Sequence, residues 1–134
     1  MRATCWRSLC AFVVTSLSLS WSAGEAQALP QFKKQFDLKY VKADSQDEQD
    51  KAFAAAVKKA NCNVCHVKGK TDRKLRNPYG EALSGLLDHK LDKDNAVKIQ
   101  KALDDVAAMK KDAGDPNSPT WGDILNEKKL PVEQ

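Results

Sequence analysis

Apolar side chains recur every three or four positions along most of the chain after residue 30, a spacing typical of amphipathic helices. The first such segment runs from Pro30 to Val41 and places Phe32, Phe36 and Tyr40 four residues apart. This pattern predicts a short helix whose aromatic side covers the core or a bound group.

A second helix is predicted in DEQDKAFAAAVKKA, residues 47–60, with one apolar face. Ser45 and Glu48 have the spacing of a capping box, in which the serine caps the helix and the glutamate reaches back to the serine's backbone. The helix leads directly into the stretch NCNVCHVKGK, residues 61–70. Its inward residues are Phe53, Ala56, Val57 and Ala60.

The stretch NPYGEALSGLLDHK, residues 77–90, predicts a third helix, with Asn77 as its cap and Pro78 in the first turn. Gly80 and Gly85 lie inside it, where each costs about 1 kcal/mol relative to alanine. Such glycines indicate close approach by another helix or a bound group, unless the helix merely tolerates them. The inward residues are Tyr79, Leu83, Leu86 and Leu87.

A fourth helix is predicted from Asp94 to Lys111, and AGDPNSPT follows as a break with Gly114 as the C-terminal signal. The apolar face of this helix consists of Ile99, Ala102, Leu103, Val106 and Met109.

Ser118 and Pro119 then begin a last short helix over residues 120–127. It offers Trp121, Ile124 and Leu125 for burial. No segment has a convincing strand pattern, so the predicted fold class is all-α.

The first residues have the composition of a secretory signal peptide. Arg2 and Arg7 come before an apolar and hydroxylic run over residues 8–21, and Ala26-Gln27-Ala28 resembles a cleavage site. The run is too short to span a bilayer comfortably, although an uncleaved anchor is the alternative. Arg7 close before Cys10 does not suit a lipoprotein signal. We expect residues 1–28 to be removed and the protein to be exported, for example to a periplasm.

The remaining 106 residues fit one small domain, which gains stability from a covalent link or an embedded cofactor. They contain 20 basic and 17 acidic residues, a balance too mild to indicate nucleic-acid binding.

Only two of the four cysteines, Cys62 and Cys65, lie beyond the predicted signal peptide. An exported chain normally uses cysteines as widely spaced disulfides, but these two are three positions apart. Their close spacing therefore indicates a chemical role, which could be cofactor attachment, metal binding or redox activity.

Cys62, Cys65 and His66 form the pattern Cys-x-x-Cys-His, the attachment signature of c-type haem. Two thiols on one turn of backbone can each bond a vinyl group of the porphyrin, and the next residue then falls under the iron. The pattern predicts one covalently attached haem c per chain, with His66 as the proximal iron ligand.

Three other interpretations of the motif are weaker. A thioredoxin-like dithiol would lie between a strand and a helix, and no such pattern is present. A zinc site needs four ligands, yet beyond the motif only His89 and carboxylates are available. A disulfide across two residues would constrain almost nothing.

The motif and the order of elements around it resemble the small monohaem class I-type cytochromes c. The resemblance implies an all-α domain at residues 47–134 wrapped around the haem, with residues 29–46 as a partly helical N-terminal extension. Members of this family have a proline about a dozen residues after the haem histidine, and its carbonyl accepts the imidazole's other N–H. Pro78 matches this position and would fix the orientation of His66.

The sixth iron ligand is left open by the sequence, since the chain departs from the family's pattern where a loop methionine is expected. Met109 comes after the proximal histidine and before the last helix, which is the family's order, but it also continues an apolar stripe. His89 is the alternative, and an open or lysine-ligated site remains. A thioether ligand would raise the potential, whereas a second imidazole would lower it.

Seven basic residues flank the motif and could guide an acidic redox partner to the haem. They are Lys58, Lys59, Lys68, Lys70, Arg73, Lys74 and Arg76. The resemblance implies a one-electron carrier between redox proteins and not an enzyme, without nucleic acid or a membrane span. A haem-based sensor or gas-binding protein is the alternative, and a peroxidase-like enzyme, which needs a distal base, is a weaker one.

Overall fold

A computed structural model describes residues 30–132, so the expected signal peptide lies outside the described residues. Five α-helices and one short 3-10 turn make up this part of the chain, and it contains no strand, only two isolated β-bridges. The predicted all-α class is therefore confirmed for these residues. The helices are α1 (Pro30–Tyr40), α2 (Glu48–Ala60), α3 (Pro78–Leu86), α4 (Ala96–Ala107) and α5 (Trp121–Asn126), and the 3-10 turn is Asn61–Val64.

The core is built where α1, α3, α4 and α5 meet α2 and the turn. Tyr79 of α3 is completely buried and packs edge-on against Trp121 of α5, with ring centroids 5.5 Å apart, and against Phe36 of α1 at 6.1 Å. The buried cluster consists of Phe36, Phe53, Val57, Val64, Tyr79, Ile99, Leu103, Val106, Trp121 and Leu125.

Helix α1 shares this core with the rest of the domain. Tyr40 donates a hydrogen bond to the carbonyl of Leu103 at 3.2 Å, and the Gln100 amide donates to Gln35 at 2.8 Å. The segment at residues 29–46, expected as an extension, thus contributes one packed helix to the same core.

The predicted capping box at Ser45 and Glu48 is wrong. Helix α2 begins at Glu48, and its N-cap is Asp47, whose carboxylate accepts the N–H groups of Gln49 and Asp50. The hydroxyl of Ser45 instead donates to the Asp50 carboxylate at 2.8 Å. A charged acceptor at Asp47 satisfies two free N–H groups of the first turn, which leaves Ser45 available for a tertiary contact.

Helix α3 ends at Leu86, before the predicted end at residue 90, so His89 lies in a following turn. Carboxylates close this turn, because Asp88 accepts the N–H groups of Lys90 and Leu91, and Asp92 accepts the N–H of Asp88.

Helix α4 is shorter at both ends than the predicted span from residue 94 to residue 111, and Gly114 does not end it. After Ala107 the backbone pairs with a later segment: Trp121 donates to the Met109 carbonyl and Lys111 donates to the Pro119 carbonyl, each at 2.9 Å. Met109 is consequently 39% exposed and does not continue the buried stripe. The last helix begins one residue later than predicted, with Thr120 and Asp123 forming its capping box.

Asp50 is a buried carboxylate that joins the start of α2 to the C-terminal segment. Lys128 donates to it at 2.6 Å, and Lys42 lies 3.7 Å away. The hydrogen bond from Lys128, followed by that from Ser45, lowers the pKa of Asp50. The ionised carboxylate therefore stabilises the fold above the ordinary aspartate pKa, and this stability is lost as the pH falls through the lowered pKa.

We expect Asp50→Asn to be less stable than the wild type at neutral pH and to be similar to it in acid. The stability difference from the wild type should shrink as the pH falls below about 4, because the wild-type carboxylate is then protonated. Urea unfolding between neutral and acidic pH measures it. Asp44→Asn is the control, since Asp44 is exposed and forms no ion pair within residues 30–132; an equal pH profile for both variants would contradict the assignment.

Candidate haem-attachment site

The Cys-x-x-Cys-His motif lies on a single tight turn. Helix α2 ends at Ala60, and its C-cap Asn61 has a positive φ of 49° and donates its N–H to the Val57 carbonyl. The chain then forms the 3-10 turn, in which the N–H groups of Cys65 and His66 both reach the Cys62 carbonyl, at 3.2 and 3.1 Å. The two thiols and the imidazole are thus carried by one turn of the backbone, as the spacing of the motif predicted.

Val64 anchors this turn in the core, since it is only 1% exposed. The two cysteines beside it are free thiols that are partly exposed. Cys65 packs against the core, and this burial raises the pKa of its thiol to about 12.

Asn77 ties α3 to residues 61–66, the turn that carries the motif and is called the attachment turn below. Its side-chain amide donates to the carbonyls of Val64 at 2.9 Å and Asn63 at 3.3 Å, and its carbonyl oxygen accepts the N–H of Gly80 at 2.8 Å. Its own N–H donates to the Cys65 carbonyl at 3.1 Å. The sequence predicted Asn77 only as a helix cap, and its bonds to the turn were missed.

Gly80 allows α3 to approach the turn closely. A Cβ atom at this position would lie 1.9 Å from the Cys65 carbonyl oxygen, a distance no side chain can occupy. Gly80 is therefore closely approached, but by the backbone of the turn at Cys65 and not by another helix. At Gly85 nothing in the described part of the chain lies within 4 Å of such a Cβ, so that glycine is merely tolerated.

His66 is held by backbone contacts and has an imidazole nitrogen without a partner. An isolated antiparallel bridge joins its backbone to Arg76, and Nδ1 is buried with no hydrogen bond. Burial lowers the pKa of His66; a hydrogen bond with the Leu75 backbone opposes this effect, and the neighbouring charges of Arg76 and Arg73 add to it. The neutral imidazole, which is the form that binds iron, is therefore favoured.

Pro78 is the first residue of α3, with Asn77 as the cap. No hydrogen bond joins its carbonyl to Nδ1 of His66, so its role as a partner of the iron ligand stays a prediction. Pro78 also lines a cavity of about 380 Å³ between the start of α3 and the C-terminal segment, together with Lys111, Trp121 and Ile124.

The two candidates for the sixth ligand are both at the surface. His89 is exposed in the turn after α3. Met109 lies just after the end of α4, and its carbonyl accepts the N–H of Trp121. Within residues 30–132, no three His, Cys, Asp or Glu side chains come together in the way a metal site needs. His89 thus does not complete a zinc-like cluster with the motif there.

The donor set fits a covalently attached haem. Two thiols can form thioethers, and a neutral imidazole follows them on the same turn. No family model, curated protein or solved structure matches the chain. None of the helices in the described part of the chain has the length and hydropathy needed to cross a membrane.

The stability that Asn77 contributes through its bonds to the turn can be compared with that of an ordinary helix cap. Asn95 caps α4 with the same kind of bond, to Lys98 at 2.9 Å, but its side chain makes no hydrogen bond to another segment within residues 30–132. We expect Asn95→Ala to cost about 1 kcal/mol, as cap losses do, and Asn77→Ala about 2 kcal/mol or more, because carbonyls of the turn lose their donor. Denaturant unfolding of both variants tests this, and equal losses would show that Asn77 acts as a cap alone.

Proposed function

We propose that the chain is a monohaem c-type cytochrome that carries one electron at a time between redox proteins. The observation that supports this most strongly is the single turn bearing Cys62, Cys65 and His66, fixed on one side by Asn77 and approached by α3 at Gly80. Export of the protein, with residues 1–28 as a signal peptide, is part of the proposal.

The bound haem would supply a reversible one-electron couple. Cys62 and Cys65 would hold it by thioether bonds, and the neutral imidazole of His66 would occupy one axial position. Asn77 keeps the turn in register with α3, so that the spacing of these three side chains is preset before the group is attached. Preset ligand positions lower the reorganisation that accompanies binding.

The sixth ligand of the iron decides between an electron carrier and a haem sensor or gas-binding protein. Met109 is our first candidate, since the hydrogen bond from Trp121 fixes its backbone next to the loop that precedes α5. His89 is the second. The exposure of both side chains is the observation that favours the alternative, a haem sensor or gas-binding protein with a displaceable ligand.

The absorption spectrum of the haem-loaded chain, oxidised and reduced, with and without carbon monoxide, tests the proposal. For a carrier ligated by Met109 we expect a low-spin spectrum with the weak far-red band of methionine-bound ferric haem, and loss of that band in Met109→Ala but not in His89→Ala. A low-spin spectrum without the band, altered by His89→Ala, would assign the position to the imidazole. A high-spin spectrum with rapid binding of carbon monoxide would replace the carrier by the sensor.

A further inference from the structure

The cavity that Pro78 lines, called the C-terminal cleft below, lies between the start of α3, the segment before α5 and the last described residues. Its volume is about 380 Å³, within the range of small-molecule sites. The residues that line it include no residue of the Cys-x-x-Cys-His motif and neither candidate for the sixth ligand. The cleft is therefore separate from the proposed attachment site.

The backbone around the C-terminal cleft is held in place by hydrogen bonds. Before α5, Lys111 donates its N–H to the Pro119 carbonyl at 2.9 Å. After α5, Lys128 has a positive φ of 59°, and Lys129 donates its N–H to the Ile124 carbonyl at 3.1 Å. The chain thus turns back on α5, and residues 129–132 line the cleft beside it. A cleft with fixed walls needs little rearrangement to bind a ligand.

Most of the residues that line the cleft are apolar. Trp121 is 3% exposed and packs edge-on against Tyr79, so its position is fixed by the core. Ile124 and Leu130 are partly buried. Three prolines, whose φ angles are fixed, also line the cleft: Pro78, Pro119 and Pro131. An aromatic or branched aliphatic group would bury apolar surface against these residues.

One positive charge at the cleft has no acidic partner. The charged residues that line it are Lys111, Glu127 and Lys129, and two lysines with one glutamate give a net charge of +1. The Lys129 ammonium lies 2.7 Å from the Glu127 carboxylate, so these two charges offset each other. Lys111 is exposed and forms no ion pair within residues 30–132. The cleft therefore favours an anion.

We propose that the C-terminal cleft binds a small apolar molecule that carries one carboxylate group. The apolar part lies against Trp121, Ile124 and Leu130, and the carboxylate pairs with the Lys111 ammonium. This binding site goes beyond the proposed function, since it uses neither the haem nor the attachment turn.

A carboxylate suits the cleft better than a phosphate group does. A phosphate group carries up to about two negative charges and three acceptor oxygens, but only one lysine at the cleft is unpaired. The first turn of α5 offers few further donors, because the Trp121 N–H is bonded to the Met109 carbonyl and the Asp123 N–H to the Thr120 hydroxyl. A ligand with an ammonium group would be repelled by Lys111.

Titration of the isotope-labelled chain with 3-phenylpropionate and with 3-phenylpropionamide, followed by NMR of the backbone amides, tests the proposal. The two probes have the same apolar part and differ in charge. We expect both to shift the residues that line the cleft, and the carboxylate to bind more tightly. Lys111→Gln should weaken binding of the carboxylate about fivefold, which corresponds to about 1 kcal/mol, and leave binding of the amide unchanged.

The matched control is Lys110→Gln, which removes the same charge from the neighbouring residue. Lys110 does not line the cleft, and its ammonium donates to the Pro116 carbonyl. Leu130→Ala should weaken both probes by a similar factor, since it removes an apolar contact that they share. Equal binding of the two probes by the wild type, equal losses in the two lysine variants, or no shifts at the cleft would each overturn the proposal.

The same titration of the haem-loaded and the haem-free chain separates the cleft from the haem. Binding of the carboxylate by both forms supports a separate site. Binding by the haem-free chain alone would show that the haem closes the cleft, and the proposal would fail. A chain that binds the carboxylate but acquires no haem keeps the cleft as a binding site and loses the cytochrome function.

Discussion

Replacing Gly80 by alanine is expected to destabilise the protein by about 3 kcal/mol or more, the upper end of the cost of overpacking. The added Cβ would lie 1.9 Å from the Cys65 carbonyl oxygen and 2.8 Å from its carbon, so α3 and the attachment turn must separate. Both partners are backbone and cannot move aside as a flexible side chain would. The same shift strains the hydrogen bond from Asn77 to Cys65, at 3.1 Å.

Gly85→Ala is the matched control for this prediction, because it makes the same substitution in the same helix. Nothing lies within 4 Å of its added Cβ, so we expect no loss and a gain of up to about 1 kcal/mol from higher helix propensity. Urea unfolding of both variants, prepared in the same state of maturation, measures the difference. Similar stabilities for the two variants would show that α3 does not press on the turn.

Truncation of Phe36 is expected to have an effect of similar or larger size. Phe36 is 2% exposed and packs on Tyr40 and Tyr79, with ring centroids 5.0 and 6.1 Å apart. Phe36→Ala removes a buried aromatic ring and leaves a cavity, which costs about 3–5 kcal/mol. We expect a large fall in the urea midpoint with an unchanged cooperative transition, because α1 shares the core of the domain.

Leu38 provides the control on the same helix, since it is 67% exposed. Leu38→Ala should change the free energy of unfolding by no more than about 0.5 kcal/mol, as surface substitutions do. If Phe36→Ala were equally mild, α1 would be an appendage and not part of the folded domain.

Helical periodicity was enough to predict where the helices lie, since it depends on local spacing. The ends of the helices were predicted less well because other parts of the chain decide them. Ser45 does not cap α2, because Asp47 accepts the first free N–H groups and the Ser45 hydroxyl binds Asp50, a carboxylate that Lys128 of the C-terminal segment also holds. Helix α4 stops at Ala107 because the following residues pair with a segment that comes ten residues later.

The sequence predicted the candidate site where its residues form a short motif and missed it where the arrangement depends on tertiary contacts. Cys62, Cys65 and His66 are recognisable by spacing alone. Asn77 before Pro78 indicates a helix cap, and nothing local shows that its amide also reaches Val64. Gly80 and Gly85 look alike in the sequence, and only the position of the Cys65 carbonyl distinguishes them.

The measurement that tests the central claim most directly is the intact mass and haem stain of the denatured chain after expression with a c-type haem maturation system. We predict that one haem remains attached to the wild-type chain under denaturing conditions and that none remains on Cys62→Ala/Cys65→Ala, while His66→Ala loses its axial ligand and changes the spectrum. A wild-type chain without attached haem, from cells in which a known c-type cytochrome is fully loaded, would contradict the account.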